Sequence, residues 1–148
     1  MKLQQRRSVT LSKKRILITE NDLRRLQPLI EAARFGESED KRNADLLEKK
    51  LTRAKVAGSR RIPESVVTMN SRIQLLHLDS SEKMECWLRF PAEEGSSTNA
   101  VSILTDLGIA LLGSREGDVI EWSGPAGKRK SRLVEVMYQP ERLGNYEL

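Results

Sequence analysis

The sequence predicts an α+β fold in which a short antiparallel helical hairpin precedes an antiparallel β-sheet that carries one short helix. In the first 60 residues, apolar side chains recur with spacings of three and four, as they do along the buried seam of a helix. From residue 66 onward the pattern changes to β-branched and alternating apolar runs separated by turn residues, which is typical of strands. The change of period divides the chain into a helical and a sheet-forming part.

The composition fits one domain of ordinary size, or a small domain with an appendage. The chain has 148 residues, of which 38% are hydrophobic and 32% are charged. No stretch approaches the ~20 apolar residues that a membrane span needs, and the N-terminus lacks the apolar core of a secretory signal. We therefore expect a cytoplasmic monomer without a membrane contact.

Basic residues are concentrated in two clusters, and the formal net charge is +5. The first cluster is Lys2, Arg6, Arg7, Lys13, Lys14 and Arg15. The second cluster is Lys128, Arg129, Lys130 and Arg132. Each cluster suits either contact with nucleic acid or a plain solvated surface, and both alternatives stay open. We predict a basic disordered extension at residues 1–14, a helical hairpin at 15–60 and a sheet domain at 61–148.

The first helix of the hairpin follows a short apolar run at residues 16–18, which predicts a strand or an extended lead-in. Thr19 can cap this helix, and Asp22 can return the bond as in a capping box. The predicted seam is Leu23, Leu26, Ile30 and Ala33. Pro28 lies inside the pattern and predicts a kink, and Gly36 predicts a left-handed stop.

The second helix is predicted to begin with Ser38 as its cap and to end at Gly58. Its seam is Ala44, Leu47, Leu51 and Ala54. The first helix, if it runs from residue 20 to 33, spans only about 21 Å. A hairpin this short must lean on the following domain, or on a partner, to stay ordered.

The sheet domain is predicted to contain four or five antiparallel strands and one short helix. The apolar and alternating runs that predict strands are 66–69 with its continuation at 73–78, then 83–90, 101–104, 119–122 and 131–138. A short helix at 106–112 should end at Gly113. We expect this helix to pack on one face of the sheet.

Two side chains that could carry chemistry stand alone in the sequence. Cys86 alternates with apolar neighbours, which indicates a small buried hydrophobic residue. His77 is the only histidine, and no second ligand or positioned nucleophile accompanies it, so we interpret it as a surface or interface residue. We therefore expect no catalytic residue, no metal and no cofactor, and we do not expect an enzyme.

Residues 102–141 carry a distinctive series of short motifs. They are Leu107-Gly108, Ala110-Leu111-Leu112-Gly113, Gly117-Asp118, Trp122, Pro125, Gly127 and Tyr138-Gln139-Pro140-Glu141. A further motif is Val66-Val67-Thr68-Met69-Asn70-Ser71-Arg72. Together they resemble the C-terminal FKBP-like domain of bacterial Gre transcript-cleavage factors, and the second motif is more similar to the Rnk proteins of that family. The resemblance covers roughly residues 16–148.

The resemblance implies a fold and a partner. It implies that the sheet domain is FKBP-like and that the partner is bacterial RNA polymerase. In Gre factors the matching turn and short helix touch the rim of the polymerase secondary channel. The candidate polymerase-binding residues are therefore Thr105, Asp106, Leu107, Gly108 and Ala110. Gre factors often have Ser-Pro or Ala-Pro where this chain has Thr105-Asp106.

The acids at the predicted hairpin tip are Glu37, Glu39 and Asp40. In Gre factors, tip acids pass down the channel and help to hold a second Mg²⁺, a hard cation that prefers carboxylate ligands. In this chain Lys41 and Arg42 follow, the arm is much shorter, and the acids also suit the positive end of a helix. We predict a polymerase-binding regulator of the Rnk type without catalysis. A cleavage cofactor that uses the tip acids, and a basic nucleic-acid-binding module, are the alternatives.

Overall fold

The computed structural model describes residues 16–91 and 99–145, so the predicted extension at residues 1–14 lies outside the described residues. The hairpin consists of strand β1 (Leu17–Thr19), helix α1 (Glu20–Ala33), helix α2 (Ser38–Arg53) and strand β2 (Lys55–Ala57). β1 and β2 pair in parallel, which ties the two ends of the hairpin together. The predicted helical hairpin followed by a sheet domain is confirmed.

The start of α1 confirms the predicted cap. Thr19 Oγ1 accepts a hydrogen bond from the backbone N–H of Asp22 at 3.0 Å. The carboxylate of Asp22, predicted to return the bond to Thr19, accepts the N–H of Met69 at 2.9 Å. α1 continues through Pro28 as one helix.

The turn between the helices differs from the prediction at both of its ends. Gly36 does not adopt the left-handed conformation, because its N–H closes a tight turn onto Ala33 O at 3.1 Å. Ser38 is the first residue of α2, and Glu37 stands at the capping position without a side-chain bond. α2 ends at Arg53, before the predicted Gly58, because residues 55–57 pair with β1.

Within the described residues, five strands form the main sheet in the order β5–β4–β3–β7–β6. They are β3 (Arg72–His77), β4 (Lys83–Arg89), β5 (Ala100–Ser102), β6 (Val119–Gly124) and β7 (Gly127–Tyr138). Three of the four pairings are antiparallel, whereas β5 runs parallel to β4, so the all-antiparallel prediction was wrong for this strand. Alternation shows which face a side chain occupies but not the direction in which strands pair.

Residues 66–71 are buried, but they do not form the predicted strand. Val66 makes one isolated bridge with Arg115. Beyond it, the N–H of Thr68 bonds to Ser71 Oγ at 3.0 Å, and Asn70 adopts the left-handed conformation with φ 67°. The polar side chains of this segment close a local turn, which removes it from strand pairing.

Helix α3 (Asp106–Leu111) lies between β5 and β6, as predicted. Gly113 follows it with φ +83°, and a Cβ there would lie 3.2 Å from Leu17 O. Two 3₁₀ helices, Ser59–Arg61 and Pro140–Leu143, complete the described part of the chain. None of its helices combines the length and apolar character that a bilayer crossing requires.

One buried cluster joins the hairpin to the sheet. Its hairpin members are Ile18, Leu26, Ile30, Ala33, Ala44, Leu47 and Leu51. Its sheet members include Ile73, Leu75, Leu88 and Leu133. The predicted seam is thus confirmed apart from Leu23 and Ala54, which are only partly buried. The hairpin packs against the sheet domain, as expected for helices too short to be stable alone.

Candidate functional site

The segment from Thr105 to Ala110 is shaped by the cap of α3. Thr105 Oγ1 accepts the N–H of Gly108 at 3.1 Å and donates to Ser102 O at 2.7 Å. Asp106 lies in the first turn of the helix, where its charge suits the positive end. One hydroxyl therefore fixes both the start of α3 and its position relative to β5.

Gly108 allows α3 to approach β5 more closely than any other residue would. A Cβ at this position would lie 2.1 Å from Ser102 O and 2.9 Å from Ile103 Cα. Backbone atoms cannot yield at these distances without moving the helix. The Leu107-Gly108 motif therefore has a packing role in addition to any binding role.

The candidate residues divide between the core and the surface. Leu107 and Gly108 are buried, whereas Thr105, Asp106 and Ala110 are partly exposed. Asp106 and Ala110 line an open groove of about 330 Å³ between α2, α3 and β6. The rest of its lining is Leu46, Lys50, Ile109, Glu121, Trp122, Ser123 and Lys128. Of the candidate segment, a partner can therefore contact the capping residue Thr105 and the groove residues Asp106 and Ala110.

Lys50 is a component of this site that sequence reasoning missed. Its Nζ donates to the carbonyl oxygens of Ile109 and, at 3.1 Å, of Ala110 at the end of α3. Burial lowers the pKa of Lys50 to about 8, and the nearby Asp118 opposes that shift. Its position next to Leu51, a buried residue of α2, was the sequence feature that could have indicated its burial. Lys50 thus fastens α2 to the negative end of α3.

A second bond fixes the other end of the contact between α2 and α3. Asn43 Nδ2 donates to Leu104 O at 2.7 Å, directly before the cap of α3. Asp40 lies one turn earlier in α2, about 4.5 Å along the helix axis. The hairpin tip therefore lies close to the N-terminal end of α3.

The three tip acids are exposed and point to no common site. Glu37 precedes α2, and Glu39 and Asp40 lie in its first turn. Within residues 16–91 and 99–145, no three His, Cys, Asp or Glu side chains are placed to hold a metal ion together. Their common setting is the positive end of α2.

The predictions for the two isolated residues had different outcomes. Cys86 is fully buried, as predicted, and burial raises the pKa of its thiol to about 12. His77, predicted at a surface or interface, is only 5% exposed. Its Nδ1 shares a hydrogen bond of 2.7 Å with Ser131 Oγ on the neighbouring β7, which also accepts Trp122 Nε1 at 3.0 Å. A polar partner across the strands is what allows this histidine to be buried.

The second basic cluster is partly neutralised. Arg129 makes two hydrogen bonds of 3.1 and 3.2 Å to Asp79, and the pKa of that carboxyl is lowered by them. The guanidinium also lies over Trp122, 5.6 Å from the ring centroid. Lys130 pairs with Glu121 at 3.5 Å. Two of the four cations are therefore occupied within the fold.

The two motifs that carry the family resemblance meet in the structure. Gln139 Nε2 donates to the carbonyl oxygens of Pro63 and Val66, both at 2.8 Å. Thr68 Oγ1 donates to Glu141 Oε1 at 2.7 Å. These contacts, made across more than 70 residues of sequence, hold the C-terminal motif against the turn that precedes β3.

The same turn also holds the start of the hairpin. Asp22 accepts the N–H of Met69 and, at 3.2 Å, a guanidinium hydrogen bond from Arg25. Burial raises the pKa of Asp22 despite these bonds, and burial likewise raises the pKa of Glu141. The turn therefore joins the hairpin, the sheet and the C-terminal motif.

Comparison with known proteins agrees with this architecture. Residues 62–138, more than half of the chain, match the family model described as "Transcription elongation factor, GreA/GreB, C-term". The chain is 34% identical to the "Regulator of nucleoside diphosphate kinase" of Escherichia coli, over 93% of this chain and all of that protein. It is also 31% identical to the "Transcription elongation factor GreA" of Bartonella henselae, over 72% of this chain and 68% of that protein.

A solved structure of a related protein has a similar fold. The "Prokaryotic transcription elongation factor GreA/GreB from Nitrosomonas europaea" is 38% identical and superposes with a TM-score of 0.69. The match covers 84% of this chain and 99% of that one, so it includes more than the C-terminal sheet domain. The chain therefore belongs to the GreA/GreB transcription elongation factor family.

Proposed function

We propose that the protein is a cytoplasmic regulator that binds bacterial RNA polymerase and has no catalytic activity of its own. It docks the α3 end of its sheet domain at the rim of the secondary channel and lays the hairpin tip beside it. Membership of a transcription elongation factor family supports a role in transcription. Regulation then results from occupying a site that cleavage factors also need.

The observation that carries the proposal is the attachment of α2 along α3. The bonds of Asn43 and Lys50 hold the two helices together at both ends of the contact. From Ser38 to Asn43, α2 extends only about 8 Å beyond the first of these bonds. A partner that contacts Asp106 is therefore also close to the tip, and tip acids on so short an extension cannot enter a deep channel.

The direct test is retention on immobilised core RNA polymerase, followed by competition with a Gre factor. We expect the protein to be retained and to be released by excess Gre factor. Ala110→Arg, in the groove beside α3, should weaken binding at least about 10-fold, because a large charged side chain then occupies a packed interface. Val134→Arg is the matched control, since Val134 is 43% exposed on β7. Failure to bind polymerase, or binding that excess Gre factor leaves unchanged, would refute the proposal.

Transcript cleavage is the alternative that the exposed tip acids favour. If it were correct, a backtracked elongation complex with Mg²⁺ and this protein would release short 3′ RNA fragments. The double substitution Glu39→Ala and Asp40→Ala would then abolish the release. On the proposed function, no fragments appear with either protein.

Nucleic-acid binding by the basic clusters receives less support, because Arg129 and Lys130 are already paired. A basic module would bind RNA with an affinity that falls steeply as salt is added, and deletion of residues 1–14 would abolish the binding. Docking through α3 instead tolerates that deletion.

A further inference from the structure

Phe35, at the tip of the hairpin, is the most exposed large apolar side chain of the described residues. It is 92% exposed, whereas the next such side chain, Leu143, is 65% exposed. We infer that Phe35 is an anchor that enters an apolar pocket of RNA polymerase beside the surface that receives α3. This inference rests on the proposed function and adds to it a contact made by an aromatic side chain.

The side chain of Phe35 takes no part in the packing between the two helices. The seam between the helices is filled without it by Leu26, Ile30, Ala33, Ala44, Leu47 and Leu51. A side chain with almost all of its surface in water contributes little to the folded state, and its removal should leave the fold intact. The position can therefore be tested without disturbing the rest of the molecule.

The turn that carries Phe35 is closed by backbone hydrogen bonds. The N–H of Phe35 bonds to Ala32 O at 3.2 Å, and the N–H of Gly36 bonds to Ala33 O at 3.1 Å. Directly beside the turn, the guanidinium of Arg34 forms an ion pair with Glu48 of α2. An anchor on a structured turn loses little conformational freedom on binding, which favours its use in an interface.

The small area that Phe35 can bury suits a second contact with a partner to which α3 is already bound. Burying one aromatic side chain removes about 150–250 Å² from water, far below the ~800 Å² per partner of a standard interface, so Phe35 alone cannot sustain a dimer of this chain. Its burial changes an equilibrium constant by a factor of about 10 to 150, whereas micromolar binding needs about 10⁶. Phe35 therefore acts as the second contact of a protein that α3 has already docked.

The formal charges around Phe35 balance one another. Residues 34–42 contain the acids Glu37, Glu39 and Asp40 and the cations Arg34, Lys41 and Arg42. The apolar ring therefore decides which pocket this tip fits, and a rim of mixed charge complements its surroundings. Because the acids are exposed and screened by water, each should contribute much less to affinity than the aromatic ring.

The experiment measures the affinity of the full chain and its variants for core RNA polymerase. Phe35→Ala should weaken binding by about 10- to 150-fold, and Phe35→Leu should restore much of the loss. The double substitution Glu39→Gln and Asp40→Asn should change affinity less than about threefold. Leu143→Ala, at the other strongly exposed apolar position, is the matched control and should bind like the unmodified protein.

The outcomes separate this inference from the proposed function. If the unmodified protein binds polymerase and Phe35→Ala binds equally well, the anchor is refuted and the docking proposal stands. If the unmodified protein does not bind polymerase, both are refuted. Sedimentation of the protein without polymerase tests whether Phe35 instead contacts a second copy of this chain. If the unmodified protein were a dimer and Phe35→Ala a monomer, Phe35 would serve self-association and the inference would be overturned.

Discussion

Replacing Gly108 with alanine tests the position of α3 on the sheet. The added Cβ would lie 2.1 Å from Ser102 O, and ordinary contacts begin at 3.4 Å, so about 1.3 Å of separation is missing (3.4 − 2.1). The second contact, 2.9 Å to Ile103 Cα, also involves backbone, so no flexible side chain can absorb the strain. The helix must therefore move away from β5.

The expected cost is that of overpacking at its upper end. Such substitutions cost about 1–3 kcal/mol, and here at least about 3 kcal/mol is expected because only backbone can move. Alanine returns about 1 kcal/mol through its better helix propensity, which leaves a net loss of about 2 kcal/mol or more. For a domain of this size the melting temperature should fall by roughly 4–8 °C.

The assay is urea and thermal unfolding followed by circular dichroism, with Gly58→Ala as the control. Gly58 has φ −65°, and the nearest atom to its Cβ position is Glu20 Oε1 at 3.9 Å. This control should be as stable as the unmodified protein, or more stable by about 0.4–1 kcal/mol. If Gly108→Ala were within about 0.5 kcal/mol of the unmodified protein, the close packing of α3 on β5 would be wrong.

The buried ionisable groups Lys50, Cys86 and Asp22 can each be tested by their response to pH or to a thiol reagent. Because the pKa of Lys50 is about 8 in the fold and 10.5 when unfolded, the unfolded chain holds its proton to higher pH, and stability rises between these values. From about pH 7.5 to pH 9, the free energy of unfolding of the unmodified protein should rise by about 1 kcal/mol relative to that of Lys50→Met. If the urea midpoints of the two proteins shifted equally over this range, the prediction would be wrong. Cys86 should resist iodoacetamide at about pH 8 until urea unfolds the protein, and rapid labelling of the folded protein would contradict its burial. Burial raises the pKa of Asp22 above its ordinary value of 3.8. The free energy of unfolding of the unmodified protein should therefore fall relative to that of Asp22→Asn as the pH rises through 3.8. If the two free energies changed in parallel with pH, the fold would not oppose the ionisation of Asp22.

The elements set by local chemistry were predictable from the sequence. Thr19 and Thr105 cap helices by bonding to N–H groups three residues away, so short-range spacing is enough to find them. The seams of α1 and α2 follow from helical periodicity, and the strands β3 and β4 follow from alternation. In each case the determining atoms lie within a few residues of one another.

The features that required long-range pairing could not be predicted. Lys50 bonds to carbonyl groups 59 and 60 residues away, and Asp22 bonds to an N–H 47 residues away. His77 is buried because Ser131 lies opposite it across a strand pair. The direction of β5 likewise depends on a neighbour that no local pattern specifies. The turn at residues 66–71 is different, because Ser71 closes it by accepting the N–H of Thr68 only three residues away. These missed contacts are what fasten the hairpin to the sheet and bring its tip beside α3.

The hairpin residue Glu37 and the α3 residue Asp106 should contact one partner at the same time, and photocrosslinking to core RNA polymerase measures this. A photoreactive amino acid is introduced at Glu37, at Asp106 or at Val134, and the labelled polymerase peptides are identified. Simultaneous docking of the tip and α3 predicts that positions 37 and 106 label neighbouring segments at the rim of the secondary channel and that position 134 labels none. Labels from 37 and 106 on distant polymerase surfaces, or stronger labelling from 134, would contradict it.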